Sequence, residues 1–353
     1  MTGGRAVLRA DASAAIGTGH VVRCRTLGSA LVARGWTVTF ASRDLPEALV
    51  ASVREAGMGI VPIPSDLGSE AEADALDAVM PAEGVELVVA DHYGIQAAWF
   101  ERLRDKARVL MAIDDLGDRP QPVDLLLDQN LGTEAGRYDR LAPGARVLVG
   151  PRFALVRPEF AALRARRGLD HTRLDGSIAR VLVFVSGADI DDVTARAVDA
   201  LTGLELAVDV VVGASYGHSI ELRRRVERLH DGELHVNVDT MAELTDAADL
   251  AIGAPSSASW ERCTLGLPTL MVVLADNQLG VERALVEAGA AMSLGWHTMV
   301  TARAIRDMVV VLQNEPGRVA AMARAAAGIT DGRGTERVVA EIEALVADKA
   351  EAR

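Results

Sequence analysis

Residues 6–24 read Ala-Val-Leu-Arg-Ala-Asp-Ala-Ser-Ala-Ala-Ile-Gly-Thr-Gly-His-Val-Val-Arg-Cys, and this stretch indicates how the chain folds. The run at 6–10 is typical of a first β-strand, and the apolar spacing from Val21 onward predicts a helix beginning near His20. Glycine allows backbone to approach a ligand closely, so the loop Gly17–His20 predicts a binding loop at the helix start. Because helix N-termini attract anions, we expect a phosphate and a histidine side by side.

The same loop also has a purely structural interpretation. A Gly-x-Gly turn after a first strand is common in α/β proteins and by itself favours plain packing of strand against helix. A histidine in a first helical turn is more often a capping or packing residue than a base. The dinucleotide fingerprint requires a third glycine where this chain has Val22, so the pattern does not predict binding of NAD or FAD.

Composition narrows the class of protein. The length of 353 residues predicts about two domains, and half of the residues are apolar, which is typical of globular chains. The formal net charge of −13 argues against nucleic acid as a partner. Cys24 and Cys263 match no metal-binding spacing, and we expect Cys24 in the core. Because we find neither a signal peptide nor a membrane-length apolar run, we expect a cytoplasmic protein with no membrane span. We also expect a monomer or a weak dimer.

Strand-like and helix-like segments alternate along both halves of the chain. In the first half, further strands are predicted at residues 37–41, 59–64, 86–90, 108–113 and 124–127. In the second half, strands are predicted at residues 181–185, 207–212, 234–238, 250–252 and 269–274. This alternation predicts two doubly wound α/β domains, 1–160 and 178–330, followed by a C-terminal helix at 331–353.

Small and polar residues collect where the predicted strands end, which is where ligands bind in doubly wound sheets. We therefore expect a substrate in a cleft between the two halves. The candidate binding residues are Asp11, Gly17, Thr18, Gly19, Asp91, Ser186, Gly187, Asp189, Ser256, Ser257, Ser259, Glu261 and Gln278. Helix capping alone would explain one of the three serines, whereas all three together also suit a diphosphate. Glu261 has two interpretations: the helix dipole favours a carboxylate in the first turn, and the same carboxylate can accept hydrogen bonds from ribose hydroxyls. No histidine accompanies the aspartate pairs at ligand spacing, so we expect no metal site.

Six segments together resemble a known family. They are Asp-x-Ser-x-x-Ile-Gly-x-Gly-His (11–20), Asp-His-Tyr-Gly (91–94), Ile-Asp-Asp-Leu (113–116), Asp-Leu-Leu-Leu-Asp-Gln-Asn (124–130), Ser-x-Ser-Trp-Glu-Arg-Cys (257–263) and Ala-Asp-Asn-Gln (275–278). In this order they resemble the UDP-2,4-diacetamido-2,4,6-trideoxy-β-L-altropyranose hydrolases of pseudaminic acid biosynthesis. The chain is also similar, more distantly, to the lipid-linked glucosaminyltransferase of peptidoglycan synthesis.

The resemblance implies a GT-B-like fold, two Rossmann-like doubly wound domains facing each other across a cleft. It implies water attack at the anomeric carbon of a UDP-sugar with inversion, no cofactor and no metal. The matched positions imply that His20 is the catalytic base, that Tyr93 and Asn277 line the sugar site, and that Glu261 holds the ribose.

Elementary chemistry agrees with that assignment. UDP is a good leaving group, so the main remaining task is to deprotonate a water, and a histidine titrates in the range that this task needs. Two other functions stay open at this point. A glycosyltransferase of the same fold would use an acceptor hydroxyl in place of water, and a catalytically silent protein would bind the nucleotide sugar only. The presence of both His20 and Asn277 argues against a silent binder.

Overall fold

The computed structural model describes residues 3–12, 17–43, 45–65, 67–168, 175–187, 189 and 191–351. Ser13 and Ile16 of the first motif, and Ala188 of the loop after the strand at 181–185, lie outside the described residues. The chain forms two compact units. One is Met1–Leu155 together with Arg333–Arg353, and the other is Val156–Gly332. We call them unit 1 and unit 2.

Unit 1 begins with a regular alternation of strands and helices. In chain order these are β1 (Arg5–Ala10), α1 (Gly19–Ala33), β2 (Thr37–Ser42), α2 (Glu47–Glu55), β3 (Gly59–Pro62), α3 (Ser69–Val79), β4 (Val85–Asp91), α4 (Ala97–Leu103), β5 (Ala107–Ile113), β6 (Leu125–Asp128) and β7 (Arg146–Val149). The strands form one parallel sheet in the order β3-β2-β1-β4-β5-β6-β7.

The sheet of unit 1 is covered on both faces, which explains its continuous apolar strands. Leu8 and Val89 point to a core that includes Leu27 of α1. Alternate residues point to the opposite core, where Val88 packs with Trp99 of α4. The strand order reverses between β1 and β4, so the carboxyl ends of these two strands flank the crevice where doubly wound sheets bind ligands.

Unit 2 repeats the same alternation. Its elements are α5 (Pro158–Arg167), β8 (Arg180–Phe184), α6 (Val193–Leu201), β9 (Ala207–Val212), α7 (Ser219–Val226), β10 (Asp231–Val236), α8 (Met241–Ala247), β11 (Leu250–Gly253), α9 (Ala258–Thr264), β12 (Thr269–Val273), α10 (Leu279–Glu287), β13 (Ala291–Trp296), α11 (Ala302–Gln313) and α12 (Pro316–Ile329). The parallel sheet has the order β10-β9-β8-β11-β12-β13. Its order reverses between β8 and β11, which places the equivalent crevice there.

The last helix, α13 (Gly334–Glu351), belongs to unit 1. Its apolar side, Val338, Val339 and Ile342, is buried in the core that contains α1. α13 therefore packs beside α1 and covers the same face of the sheet of unit 1. None of the described helices is long and apolar enough to span a bilayer.

Two strands were not predicted from the sequence. β7 is followed at once by Gly150-Pro151, which interrupts the strand pattern. β13 reads Ala-Met-Ser-Leu-Gly-Trp, and its pairing with β12 shifts register beside Met271. Both are edge strands of their sheets and are only partly buried, so they lack the continuous apolar run that marks the central strands.

Candidate active site

The crevice of unit 1 contains a histidine–aspartate pair. His20 lies in the first turn of α1, directly after the loop that follows β1, and Asp91 is the last residue of β4. His20 Nδ1 lies 2.6 Å from Asp91 Oδ1, and both side chains are buried. The strand order thus brings together two residues that are 71 positions apart in the sequence.

This contact fixes the role of each ring nitrogen of His20. An ionised carboxylate only accepts hydrogen bonds, so Nδ1 carries the proton and donates a hydrogen bond to Asp91, while Arg23 Nη2, 3.3 Å from Nδ1, donates to the same carboxylate. In the neutral ring the other nitrogen, Nε2, then has a free lone pair. No described residue hydrogen-bonds Nε2. The pair therefore has the arrangement of a general base whose tautomer is set by a buried carboxylate.

Arg23, one turn further along α1, holds the carboxylate in place. Its Nε donates to Asp91 Oδ2 at 2.6 Å and its Nη2 to Asp91 Oδ1 at 2.6 Å. The same guanidinium donates two bonds of 3.0 Å to Asp115. Burial opposes ionisation of Asp91, but the charge and hydrogen bonds of Arg23, with the hydrogen bond from His20, outweigh it and hold the pKa of Asp91 well below its usual range. Asp91 is therefore ionised at neutral pH.

Tyr93 lies beside the histidine. Its ring meets the His20 ring edge-on, with centroids 4.7 Å apart and an interplanar angle of 85°. Its hydroxyl donates to Asp115 Oδ2 at 3.1 Å. The structure thus brings together two of the three residues predicted for catalysis, His20 and Tyr93.

The binding loop before α1 has the backbone that its glycines predict. Gly17 adopts φ +75°, in the left-handed region, and a Cβ there would meet no atom within 4 Å. Thr18 precedes the helix without capping it through its side chain, and Thr18 O accepts from Val22 N at 3.0 Å. Gly19 is the first helical residue. The Thr18 side chain therefore does not cap α1, and the start of this helix is compatible with an anion.

Asp11 belongs to a separate buried ion-pair network. Arg9 donates to Asp11 Oδ1 at 2.5 Å and to Oδ2 at 2.8 Å, and it also binds Glu72. Burial raises the pKa of Asp11, but hydrogen bonds and charge from Arg9 leave it lowered overall. His92 Nε2 lies 3.4 Å from Asp11 Oδ2. In this network Asp11 holds the strand end, and a role in binding substrate stays a prediction.

In unit 2, the loop after β8 is closed by its own side chains. Asp189 N donates to Ser186 Oγ at 2.8 Å, and the Asp189 carboxylate accepts from Val193 N and Thr194 N at the start of α6. The carbonyl of Gly187 accepts from Gly213 N at 2.9 Å. Asp189 thus serves as a helix cap, at a left-handed backbone position with φ +39°.

The loop after β11 contains the predicted serines. Ser259 Oγ, which is buried, accepts from Ser256 N at 3.2 Å and from Arg262 Nη2 at 3.0 Å. Ser256 and Ser257 are half-buried. Ser259 therefore stabilises the loop, whereas the other two hydroxyls reach its surface.

Glu261 forms a two-pronged ion pair with Arg157. Arg157 Nε donates to Oε1 at 2.7 Å and Nη2 to Oε2 at 2.9 Å. Burial opposes the charge on Arg157, but Glu261 outweighs it and raises the pKa of that guanidinium. Each carboxylate oxygen keeps a second lone pair, so the role of Glu261 toward a ribose stays a prediction.

The last predicted pair follows β12. Asn277 is exposed and lies in a short 3₁₀ turn, Asp276–Gln278. The side chain of Gln278 accepts from Leu274 N at 2.8 Å and so holds the turn against the strand end. Asn277 remains the candidate for contact with a ligand.

The sequence patterns did not identify three arginines of these sites: Arg23, Arg157 and Arg262. Only Arg23 had a usable signal, because residues three apart share a helix face and Arg23 follows His20 at that spacing. Arg157 is 104 residues from its partner, a pairing that no local pattern reveals.

One group of side chains has the composition of a metal site. Asp209, Glu233 and His235, on β9 and β10, each offer a ligand atom within 4.8 Å of the others. His235 Nε2 lies 3.0 Å from Asp209 Oδ1, while Asp209 Oδ2 accepts from Arg180 at 2.8 Å. Arg180 and His235 already compensate the buried carboxylate, so this cluster is explained as an ion-pair network.

No family model matches the chain. It is 23% identical over 343 residues to the spore coat polysaccharide biosynthesis protein SpsG of Bacillus subtilis, covering 95% of this chain and 97% of that protein. It is 23% identical over 291 residues to the UDP-2,4-diacetamido-2,4,6-trideoxy-β-L-altropyranose hydrolase of Campylobacter jejuni, covering 81% of this chain and 97% of that enzyme. The predicted resemblance is confirmed.

Solved structures show the same architecture. MurG of Acinetobacter baumannii matches with a TM-score of 0.66 at 15% identity, over 96% of this chain and 99% of that one. The glycosyltransferase VinC, solved in complex with dTDP, matches with a TM-score of 0.63 at 15% identity, over 98% of this chain and 100% of that one. The predicted fold class is confirmed, since the chain has the two Rossmann-like parallel-sheet domains of GT-B proteins.

Proposed function

We propose that this chain is a nucleotide-sugar hydrolase that cleaves the anomeric C–O bond of a UDP-diacetamido-trideoxyhexose to give UDP and the free sugar. The observation that carries the proposal is the 2.6 Å contact between His20 Nδ1 and Asp91 Oδ1, which leaves Nε2 as a base. The likeness to the Campylobacter hydrolase supports the substrate class. The likeness to SpsG supports a role in making a surface sugar.

In the proposed reaction, Nε2 of His20 takes a proton from water as the water oxygen attacks the anomeric carbon. A new C–O bond forms on one face of the sugar, and the bond to the diphosphate oxygen breaks on the other. UDP leaves with the electron pair, and the proton passes from His20 to solvent. Displacement from one side inverts the anomeric configuration.

Asp91 and Arg23 make His20 suitable for this task. As the ring gains a proton it becomes a cation, and the buried carboxylate at 2.6 Å stabilises it. Arg23 keeps that carboxylate ionised and fixed by two bonds of 2.6 Å. A histidine that only filled the core would need neither group. Tyr93, edge-on to the ring, then limits the space in which water and sugar fit.

Unit 2 would hold the nucleotide. Ser256 and Ser257 offer hydroxyls to the diphosphate, Glu261 to the ribose, and Asn277 an amide to the sugar. In doubly wound sheets the crevice at the reversal of strand order, here beside β8 and β11, is where such ligands bind. The proposed reaction uses no metal ion, because hydrogen-bond donors of the protein would stabilise the negative charge that develops on the leaving diphosphate. That both units contact one substrate stays a prediction.

The alternative is a glycosyltransferase, in which an acceptor hydroxyl replaces water. The likeness to MurG and VinC fits both functions, because it shows the fold alone. The two differ in one product: a hydrolase releases one free sugar for every UDP without any acceptor present.

The test is to incubate the purified protein with UDP-2,4-diacetamido-2,4,6-trideoxy-β-L-altrose and to measure UDP and free sugar, with and without EDTA. We expect equal amounts of both, unchanged by EDTA. His20→Gln can still donate to Asp91 but has no basic nitrogen, and its rate should fall by roughly 10²–10⁴. His235→Gln, which changes a histidine of unit 2 that contacts Asp209, is the matched control and should retain the rate. Binding without turnover would contradict the proposal.

A further inference from the structure

One buried arginine in unit 2 has no anionic partner. Four arginines of the described residues are buried, and three of them, Arg9, Arg23 and Arg119, contact carboxylates. The fourth, Arg262 on α9, is 4% exposed and has no carboxylate within ion-pair distance in the described part of the chain. The oxygens of its neighbour Glu261 go to Arg157 instead.

The contacts of Arg262 leave much of its donor capacity unused. Nη2 donates to Ala254 O at 2.8 Å and to Ser259 Oγ at 3.0 Å. Nε is buried and has no hydrogen-bond partner, and no described residue accepts from Nη1. Burial lowers the pKa of this guanidinium to about 10. A buried charge without a counter-ion is costly, so such a group requires an explanation.

The position of the guanidinium points to a ligand. Gly253 is the last residue of β11, and a Cβ there would lie 2.5 Å from Phe184 O and 2.9 Å from Arg262 Nη1. The guanidinium therefore lies against the carboxyl ends of β8 and β11, where the strand order of this sheet reverses. It also lines a small cavity beside Glu261. The loop that it holds, 254–259, is the one that carries the predicted diphosphate serines.

We propose that Arg262 is the built-in counter-charge for the diphosphate of the nucleotide, and that it completes its hydrogen bonds and its charge pairing only when that anion is bound. The inference rests on the proposed function and names the residue through which unit 2 distinguishes a nucleoside diphosphate from a nucleoside. Guanidinium suits this role because its planar donors bind phosphate oxygens in pairs. The counter-charge is the guanidinium itself and not the N-terminus of α9, a helix of only seven residues.

The test compares UDP with uridine, which lacks the diphosphate, by isothermal titration calorimetry. In the wild-type protein UDP should bind more tightly than uridine. Arg262→Met should weaken UDP by roughly tenfold or more, the size expected for a lost charge-assisted bond, and leave uridine within about twofold. Arg262→Lys keeps the charge but not the planar donors, so its UDP affinity should lie between those of the wild-type protein and Arg262→Met.

Arg164→Met is the matched control. Arg164 lies in the same unit and donates to backbone carbonyl oxygens, those of Thr264, Ala327 and Thr330. Its loss should destabilise the fold in a similar way without changing the ratio of UDP to uridine affinity. If Arg262→Met does not fold, the Nε–H resonance of Arg262 in the wild-type protein, assigned by its absence in Arg262→Lys, replaces it as the readout. That resonance should shift with UDP and with pyrophosphate but not with uridine.

The outcomes separate the two proposals. A ratio that collapses in Arg262→Met but not in Arg164→Met supports the counter-charge. An unchanged ratio, or a resonance that does not shift with UDP, overturns the counter-charge proposal. In that case, release of UDP by the wild-type protein would still support the hydrolase. A wild-type protein that binds neither UDP nor the UDP-sugar overturns the proposed function itself.

Discussion

Nδ1 of His20 and Oδ1 of Asp91 lie 2.6 Å apart, and this contact links the first turn of α1 to the end of β4. It decides which nitrogen of the imidazole carries the proton. Because Arg23 binds both oxygens of Asp91, the carboxylate cannot rotate away from the ring without breaking two further bonds. A buried network thus sets the tautomer and the orientation of the His20 ring.

Asp91→Asn tests that tautomer. An asparagine amide can present its NH₂ to Nδ1, which moves the ring proton to Nε2 and removes the lone pair that should accept from water. We expect kcat to fall by roughly 10³–10⁴ with little change in KM. Asp115→Asn is the control, because it removes a partner of Arg23 and Tyr93 but leaves the histidine contact. ¹⁵N spectra of the ring should show the tautomer change in the first variant only. Full activity in Asp91→Asn would exclude His20 as the base.

Tyr93→Phe separates the hydroxyl of this residue from its ring. The variant keeps the edge-on contact with His20 and loses the bond to Asp115 at 3.1 Å. A hydrogen bond to a charged group contributes roughly 1.5–3 kcal/mol, so we expect kcat/KM to fall about tenfold or more. Tyr93→Ala should lose more, because the ring that bounds the histidine is gone. Wild-type activity in Tyr93→Phe would show that the hydroxyl is dispensable and that Tyr93 acts through its ring alone.

The fold was largely predictable because its signals are local. Apolar strands such as 86–90 and 181–185, each followed by a helix, indicate parallel sheets covered on both faces, and this is what the structure contains. The edge strands β7 and β13 were missed because partial burial leaves them without that pattern.

The candidate site was predictable only in part. Motifs marked His20 and Asp91 separately, but that they touch depends on β1 and β4 being neighbours in the sheet. The clamp by Arg23 and the pairing of Arg157 with Glu261 depend on three-dimensional packing as well. Several residues expected to bind substrate, Asp189 and Ser259 among them, turn out to complete hydrogen bonds of the protein itself. Polar residues at strand ends serve both purposes, and sequence spacing does not separate them.

The stability of unit 1 should fall in mild acid. The pKa values of Asp91, Asp11 and Glu72 are all lowered in the folded protein, because nearby arginines outweigh the cost of burial. The unfolded chain, with pKa values of about 3.9 for Asp and 4.3 for Glu, therefore binds more protons. The contribution of these groups is present above about pH 4–5 and is lost as pH falls through the lower folded-state values.

Asp128 acts in the opposite sense, since burial raises its pKa and its contribution is lost as pH rises. The measurement is urea unfolding between pH 3 and 7, in the wild-type protein and in Asp91→Asn. We expect a shallower dependence on pH in the variant across the acid range. Identical slopes would show that Asp91 is not held ionised by its partners.

Glu261→Gln tests both the ion pair and the predicted ribose contact. The variant removes the charge opposite the partly buried Arg157 and keeps one oxygen that can accept from it, so we expect a loss of roughly 1.5–3 kcal/mol in the free energy of unfolding. If the carboxylate also accepts from ribose hydroxyls, the variant should lose the preference for UDP over 2′-deoxy-UDP. Arg157→Met breaks the same pair from the other side and is the control. A preference that is unchanged in Glu261→Gln would limit the residue to a structural role.

Gly253→Ala should destabilise unit 2 and weaken its ligand site together. The added Cβ would lie 2.5 Å from the carbonyl oxygen of Phe184, a backbone atom that cannot move without separating β8 from β11. Overpacking of this kind costs roughly 1–3 kcal/mol. Gly217→Ala, in the same unit and with no atom within 4 Å of the new Cβ, is the matched control and should leave the unfolding midpoint unchanged.

Because Nη1 of Arg262 lies 2.9 Å from the Cβ position at Gly253, UDP affinity should fall in Gly253→Ala but not in Gly217→Ala. Wild-type stability and UDP affinity in Gly253→Ala would show that neither property depends on the close approach of Gly253 to Phe184 O and Arg262 Nη1.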